Sequence, residues 1–184
     1  MTWRPTPVKE DESIAAMKAA LEAGCNFWNG GEFYGTPEYN SLHLLKAYFT
    51  KYPEDASKVV LSIKGALRQM KAVGTPEYLK ECIERDLKIL DGTKSIDIYE
   101  CARVDKNTPL EVTLKALEGH VKKGDIGGIG LSEVSAATIE KAVKITKIAA
   151  VESELSLWSL DIFENGIAQA AAKHNIPIVA YVTK

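Results

Sequence analysis

Six short apolar runs, each of a length suited to a buried strand, recur along this 184-residue chain: 26–30, 58–64, 96–102, 126–131, 148–153 and 176–182. All but the last are followed by a stretch whose apolar residues repeat every three or four positions, the period of a helix with one buried face. Leu79, Ile83, Leu87 and Leu90 form one such stripe, and Leu110, Leu114, Leu117 and Val121 another. A further helix precedes the first run, with Ile14, Met17 and Leu21 on its inner face and Gly24 as its stop. Helix starts are marked by Thr75-Pro76, by Thr108-Pro109 and by Asp161 with Glu164, which has the form of a capping box.

Strands alternating with helices pair in parallel, with helices covering the sheet. Two architectures satisfy this. An open doubly wound sheet suits the length, whereas a closed (β/α)8 barrel has eight strands and typically about 250 residues. The doubly wound fold calls for a glycine-rich phosphate turn just after its first strand. The glycine cluster here, Gly124, Gly127, Gly128 and Gly130, instead leads into a strand. Catalytic groups on a barrel gather past the C-terminal strand ends, so the residues there carry the functional argument.

Charge and composition narrow the function classes. With 23 basic and 25 acidic side chains the net charge is -2, which offers no basic face for nucleic acid. Apolar stretches are too short to span a bilayer. Cys25, Cys82 and Cys101 are odd in number and lack metal-type spacing, and His43, His120 and His174 fall in helical patterns as surface or packing residues. A reducing compartment, cytoplasmic or nuclear, is the simplest setting, and residues 1–184 read as one domain.

Several strand ends carry polar residues in a telling order. NFWNGGEFYG places Asn29 at a strand end and Tyr34 five positions later; VVLSIKGA ends in Lys64; SIDIYECARVD closes on Ala102 and Arg103. Then come KKGDIGGIGLSEVS with Ser132 and Glu133, AAVESELSL with Glu152, and IVAYVTK with Tyr181. Taken together these segments resemble the aldo-keto reductase superfamily over nearly the whole chain. NGGEFYG and ECARVD are similar to the fungal pyridoxal reductases, in which the family's Asp and His positions are also altered.

The resemblance implies a (β/α)8 barrel of the TIM type with six of its eight parallel strands present. The first and last, which neighbour each other in a closed barrel, are lacking, so the expected sheet is open and curved with two exposed edges that favour self-association. It also implies hydride transfer from NADPH to a small aldehyde of the pyridoxal kind, with Tyr34 giving a proton to the new alcohol. The ammonium of Lys64 would ease release of that proton, since a free phenol has a pKa of about 10. Asn29 stands where the family has the aspartate that pairs with the lysine, and Ala102 where it has a histidine. Asn29 is expected to hydrogen-bond Lys64 without neutralising it. Ser132, Glu133, Glu152 and Tyr181 fall at the cofactor positions, with Tyr181 as the stacking platform. Glu133 and Glu152 replace amides, and an ionised carboxylate cannot donate to the cofactor amide. Glu32 and Arg103 are candidate substrate contacts near the mouth.

Each residue also has a plainer role. Tyr34 alone would be a rim or packing residue, Ser132 a helix-capping hydroxyl, Tyr181 a core aromatic, and Glu32 and Arg103 a rim ion pair. An alternative for the whole chain is a catalytically silent remnant, or a cofactor-binding regulatory chain.

Overall fold

The computed structural model describes residues 9–182. Helix α1 (Glu10–Glu22) leads to strand β1 (Phe27–Gly31), helix α2 (Ser41–Lys51) and strand β2 (Val60–Gly65). A hairpin of β3 (Leu67–Arg68) and β4 (Lys71–Ala72) follows, then α3 (Pro76–Leu90), β5 (Ile98–Cys101), α4 (Leu110–Lys123) and β6 (Ile129–Ser132). Helix α5 (Ala136–Ala142), β7 (Ile148–Glu154), α6 (Ile167–Lys173) and β8 (Ile178–Tyr181) complete the order.

The sheet runs β1-β2-β5-β6-β7-β8, and all five pairings are parallel. Neighbours in the sheet are therefore neighbours in sequence once the hairpin is set aside. A doubly wound sheet reverses its strand order part-way, so that architecture is excluded. Alternation along each strand sorts the two faces: Leu61 and Ile63 of β2 are wholly buried among the helix side chains, while Ser62 and Lys64 point the other way. The outer layer fills with Leu42, Tyr48 and Phe49 of α2, Leu79 and Ile83 of α3, Leu114 and Leu117 of α4, and Ile139 of α5.

The sheet is strongly curled. Strands β1 and β7 stand four places apart, which on a flat sheet is roughly 19 Å at the usual strand spacing. Yet the Asn29 amide on β1 hydrogen-bonds the Glu152 carboxylate on β7. Six consecutive strands of a barrel, with β1 and β8 as open edges, account for both the strand order and this closure.

Local signals explain most helix starts. The Thr75 side chain accepts from the Tyr78 amide, with Pro76 as the first helical residue, and α1 is followed by Gly24 in the left-handed region (φ +90°). Two expected starts are corrected. The Thr108 hydroxyl donates to Asp105, leaving Pro109 at the head of α4 without a side-chain cap. Asp161 opens a three-residue 3-10 turn, and α6 begins only after Gly166, with the Asn165 side chain accepting from the Ile167 amide. Among the described residues no helix is long and apolar enough to cross a membrane, and no group of side chains is arranged to hold a metal ion.

Helix α2 has a reciprocal cap that the sequence reading did not single out. Asn40 accepts from the Leu42 amide, and the His43 ring accepts from the Asn40 amide. Asn40 also donates to the Glu32 carbonyl, so one residue caps α2 and pins the loop after β1. Asn40→Ala is expected to lower stability by about 1–2 kcal/mol, measured as a shift in the urea midpoint at unchanged slope.

Candidate active site

The C-terminal ends of the strands surround a cavity of about 450 Å³ lined by Asn29, Tyr34, Lys64, Arg103, Glu152 and Tyr181, together with apolar side chains. Six of the nine residues singled out in the sequence therefore share one space. The apolar lining comes from Phe33, Leu67, Met70, Ala102, Val179 and Ala180.

Tyr34 sits in the loop after β1, which is fixed at both ends. The Ser41 hydroxyl at the start of α2 accepts from the Gly31 amide (2.8 Å) and donates to its carbonyl (2.7 Å). The Tyr34 amide donates back to the Gly31 carbonyl, and its own carbonyl accepts from the Ser41 amide (2.9 Å). Gly31 has to be glycine, because a Cβ there would lie 2.7 Å from the Lys64 carbonyl oxygen. The Tyr34 ring rests on Phe33 at 4.5 Å between centroids. Its hydroxyl makes no hydrogen bond among the described residues, and Tyr34 lines the cavity.

Lys64 is 4% exposed and ion-paired to Glu152, with Glu100 at 4.0 Å. The expected contact between Asn29 and the lysine is replaced by another. Asn29 donates to Glu152 and, at 3.4 Å, to Glu100, and the lysine's charge is met from β7. The reason is geometric: on the curled sheet Glu152 lies between the lysine and the amide, and its two carboxylate oxygens each take one of them.

Glu100 is the functional residue that sequence reasoning missed. It lies two residues before Ala102 on β5 and is 2% exposed, in register with Lys64 on the neighbouring strand. Burial, then the Glu152 carboxylate beside it, raise its pKa to about 9 against partial relief from Lys64. Glu100 therefore favours its protonated form beside the Lys64–Glu152 pair. The signal available in the sequence was a glutamate set between Tyr99 and Cys101 inside the run 96–102.

The remaining candidates separate. Ser132 is 1% exposed and its hydroxyl has no partner among the described residues; the α5 cap belongs to Ser135 instead. Glu133 is not among the residues lining the cavity and accepts from the Glu154 amide at 3.0 Å. Tyr181 lies with its ring centre 5.6 Å from the Lys64 nitrogen. Burial and then Glu133 push its phenol well above the usual range. Glu32 pairs with Arg85 of α3 and lies outside the cavity wall, so it forms no rim pair with Arg103. The hairpin of β3 and β4, which no strand signal announced, contributes Leu67 and Met70 to the wall.

The profile of the Aldo/keto reductase family matches residues 1–183. This chain belongs to that family. Among its relatives, the "Probable pyridoxal reductase 2" of Schizosaccharomyces pombe is 46% identical over 98% of this chain and 55% of its own length. The "Putative pyridoxal reductase" of Saccharomyces cerevisiae is 34% identical over 98% of this chain and 56% of its own length. The chain thus spans about half the length of the curated relatives it matches. A thermostable aldo-keto reductase crystallised with the inhibitor epalrestat superposes with a TM-score of 0.82 at 22% identity, over 97% of this chain and 62% of that one. The likeness extends the parallel-strand argument: the sheet is part of an aldo-keto reductase barrel.

Proposed function

We propose that this chain reduces a small aldehyde of the pyridoxal kind to its alcohol with NADPH, Tyr34 being the proton donor. The observation that carries this reading is a phenol with no hydrogen-bond partner among the described residues, on a doubly anchored loop, lining the same cavity as a buried lysine. The names of the fungal relatives support the substrate class.

The cofactor's nicotinamide end is matched by two groups. The Tyr181 ring lines the cavity, and the buried Ser132 hydroxyl is an unpaired donor and acceptor suited to a carboxamide. When bound, the cofactor supplies the hydride. Tyr34 gives its proton to the carbonyl oxygen as negative charge builds there, and the Lys64 ammonium stabilises the phenolate left behind. Glu152 and Asn29 keep the lysine in place. Glu133 and Glu152 have oxygens engaged within the protein, so we assign them to the wall rather than to the cofactor. We place the reaction in a reducing cytoplasmic setting, in keeping with three free cysteines.

A second reading, cofactor binding without turnover, is favoured by one observation: Ala102 presents only a methyl group beside the cavity, so nothing polar on that strand end orients a carbonyl except Arg103. The two are separated by adding pyridoxal to the purified chain with NADPH and following NADPH absorbance and fluorescence. Loss of absorbance that depends on pyridoxal is the expected result. A fluorescence change on cofactor addition without turnover supports the second reading, and neither signal at near-millimolar NADPH overturns both.

A further inference from the structure

Three arginines fall among the described residues, and two of them are committed. Arg68 is paired with Glu81 and lies over the Tyr78 ring at 4.3 Å; Arg85 is held by Glu32 and by Cys82. Arg103 differs. It has no carboxylate partner among the described residues, and its one hydrogen bond donates from Nη1 to the carbonyl of Ala102 at 2.6 Å. Guanidinium carries five N–H donors in a flat fork, so most of its donor capacity is left over.

Its position gives that capacity a use. Arg103 stands two residues past the end of β5, is exposed to solvent, and lines the cavity that holds Tyr34 and Lys64. The lysine's charge is already met by Glu152. The cavity therefore presents one uncompensated cation, and it stands at the rim. Beside it Ala102 leaves open the space that a larger side chain would fill, and Phe33, Tyr34 and Tyr181 supply flat apolar surface. These rings offer a planar ligand apolar surface, and a guanidinium fork at the rim matches an anionic oxygen substituent on such a ring.

We propose that Arg103 is a specificity-determining residue that selects aromatic aldehydes carrying an anionic oxygen group, carboxylate or phenolate. This rests on the aldehyde-reductase reading for the word aldehyde, but the recognition itself is a binding event and needs no turnover. The same chemistry, an anion on a guanidinium, is offered by the phosphates of a nucleotide cofactor, and the experiment separates the two sources.

Isothermal titration of the purified chain with para-formylbenzoate and with benzaldehyde, both without nucleotide, reads the preference directly. The carboxylate-bearing ring is expected to bind at least about tenfold more tightly. Arg103→Gln removes that difference, Arg103→Lys keeps part of it, and raised salt narrows it because the site is solvent-exposed. Equal binding of the two rings by the wild-type chain, no binding of either, or a preference that survives Arg103→Gln would each overturn the proposal. Repeating the titration with saturating NADP+ provides the second arm. Undiminished binding of para-formylbenzoate supports the substrate-side assignment. Competition that disappears in Arg103→Gln gives the guanidinium to a cofactor phosphate and overturns it. A chain that fails to oxidise NADPH with any aldehyde, yet still prefers the carboxylate, rejects the reductase reading and leaves the anion site standing.

Discussion

Tyr34→Phe is expected to lower kcat for NADPH-dependent aldehyde reduction by about 10²- to 10⁴-fold, the usual worth of a positioned proton donor. The substitution is a clean one. Phenylalanine keeps the ring packed on Phe33, and the hydroxyl it removes makes no hydrogen bond within the described protein. Stability should therefore stay within about 0.5 kcal/mol of wild type, as read from the denaturant midpoint alongside the rates. An unchanged rate sinks the role of Tyr34. Lysine 64 offers no comparable test on its own, because removing it strands the Glu152 carboxylate in a buried site and confounds chemistry with folding.

Stability itself should fall as pH rises from about 5 to about 8, and two carboxyl groups account for it. Asp86 on α3 is wholly buried and neither of its oxygens has a partner among the described residues. Burial, and secondarily the Glu32 carboxylate, raise its pKa to about 8, against the pull of Arg85. Glu100 is raised to about 9 for the causes given above. Each holds a proton in the native state that the unfolded chain has released by about pH 5. Their contribution is complete below the unfolded carboxyl pKa and is lost as pH climbs through the window that ends near 8 for Asp86 and near 9 for Glu100. Each native proton is worth about 1.4 kcal/mol per pH unit in that window. Urea unfolding at a series of pH values should show a downward slope, roughly halved by Asp86→Asn or by Glu100→Gln and flattened by both. A flat wild-type profile, or a slope indifferent to both substitutions, refutes the assignment. The acid side has the opposite sign. Asp55 accepts from Lys18, Lys58 and Tyr48 and is held well below the usual carboxylate range, so its stabilisation is lost only as pH falls below about 4. Maximum stability is expected at mildly acidic pH.

The strands were legible because their apolar runs are short, bounded and regularly spaced, and burial on the helix side leaves Leu61, Ile63 and Ile129 little alternative. Helix ends were less so. Asp161 and Glu164 have the spacing of a capping box, yet the chain at 160–166 turns again before α6 begins, a choice made by packing rather than by local chemistry. The hairpin after β2 escaped notice because its turn residues, Gln69 and Met70, adopt positive φ without the glycine or asparagine that usually announces it. In the site, residue types at strand ends named the participants, but not who touches whom. Which carboxylate serves Lys64 depends on how tightly six strands curl, and no pairwise spacing in the sequence encodes that.

The exchange of partners around Lys64 links two positions 123 residues apart in the chain. Where the wider family is taken to have an acid on the strand of Asn29 and an amide on that of Glu152, this chain has the amide and the acid transposed. The sum of charge is kept while its bearer moves across the barrel. An acid gained at 29 while Glu152 and Glu100 remain would crowd three carboxyls around one ammonium, and an amide gained at 152 alone would leave that ammonium to Glu100 at 4.0 Å. Positions 29 and 152 share one carboxylate contact, so substitutions at the two are expected to be non-additive, and a double-mutant cycle read by denaturant midpoint measures the coupling.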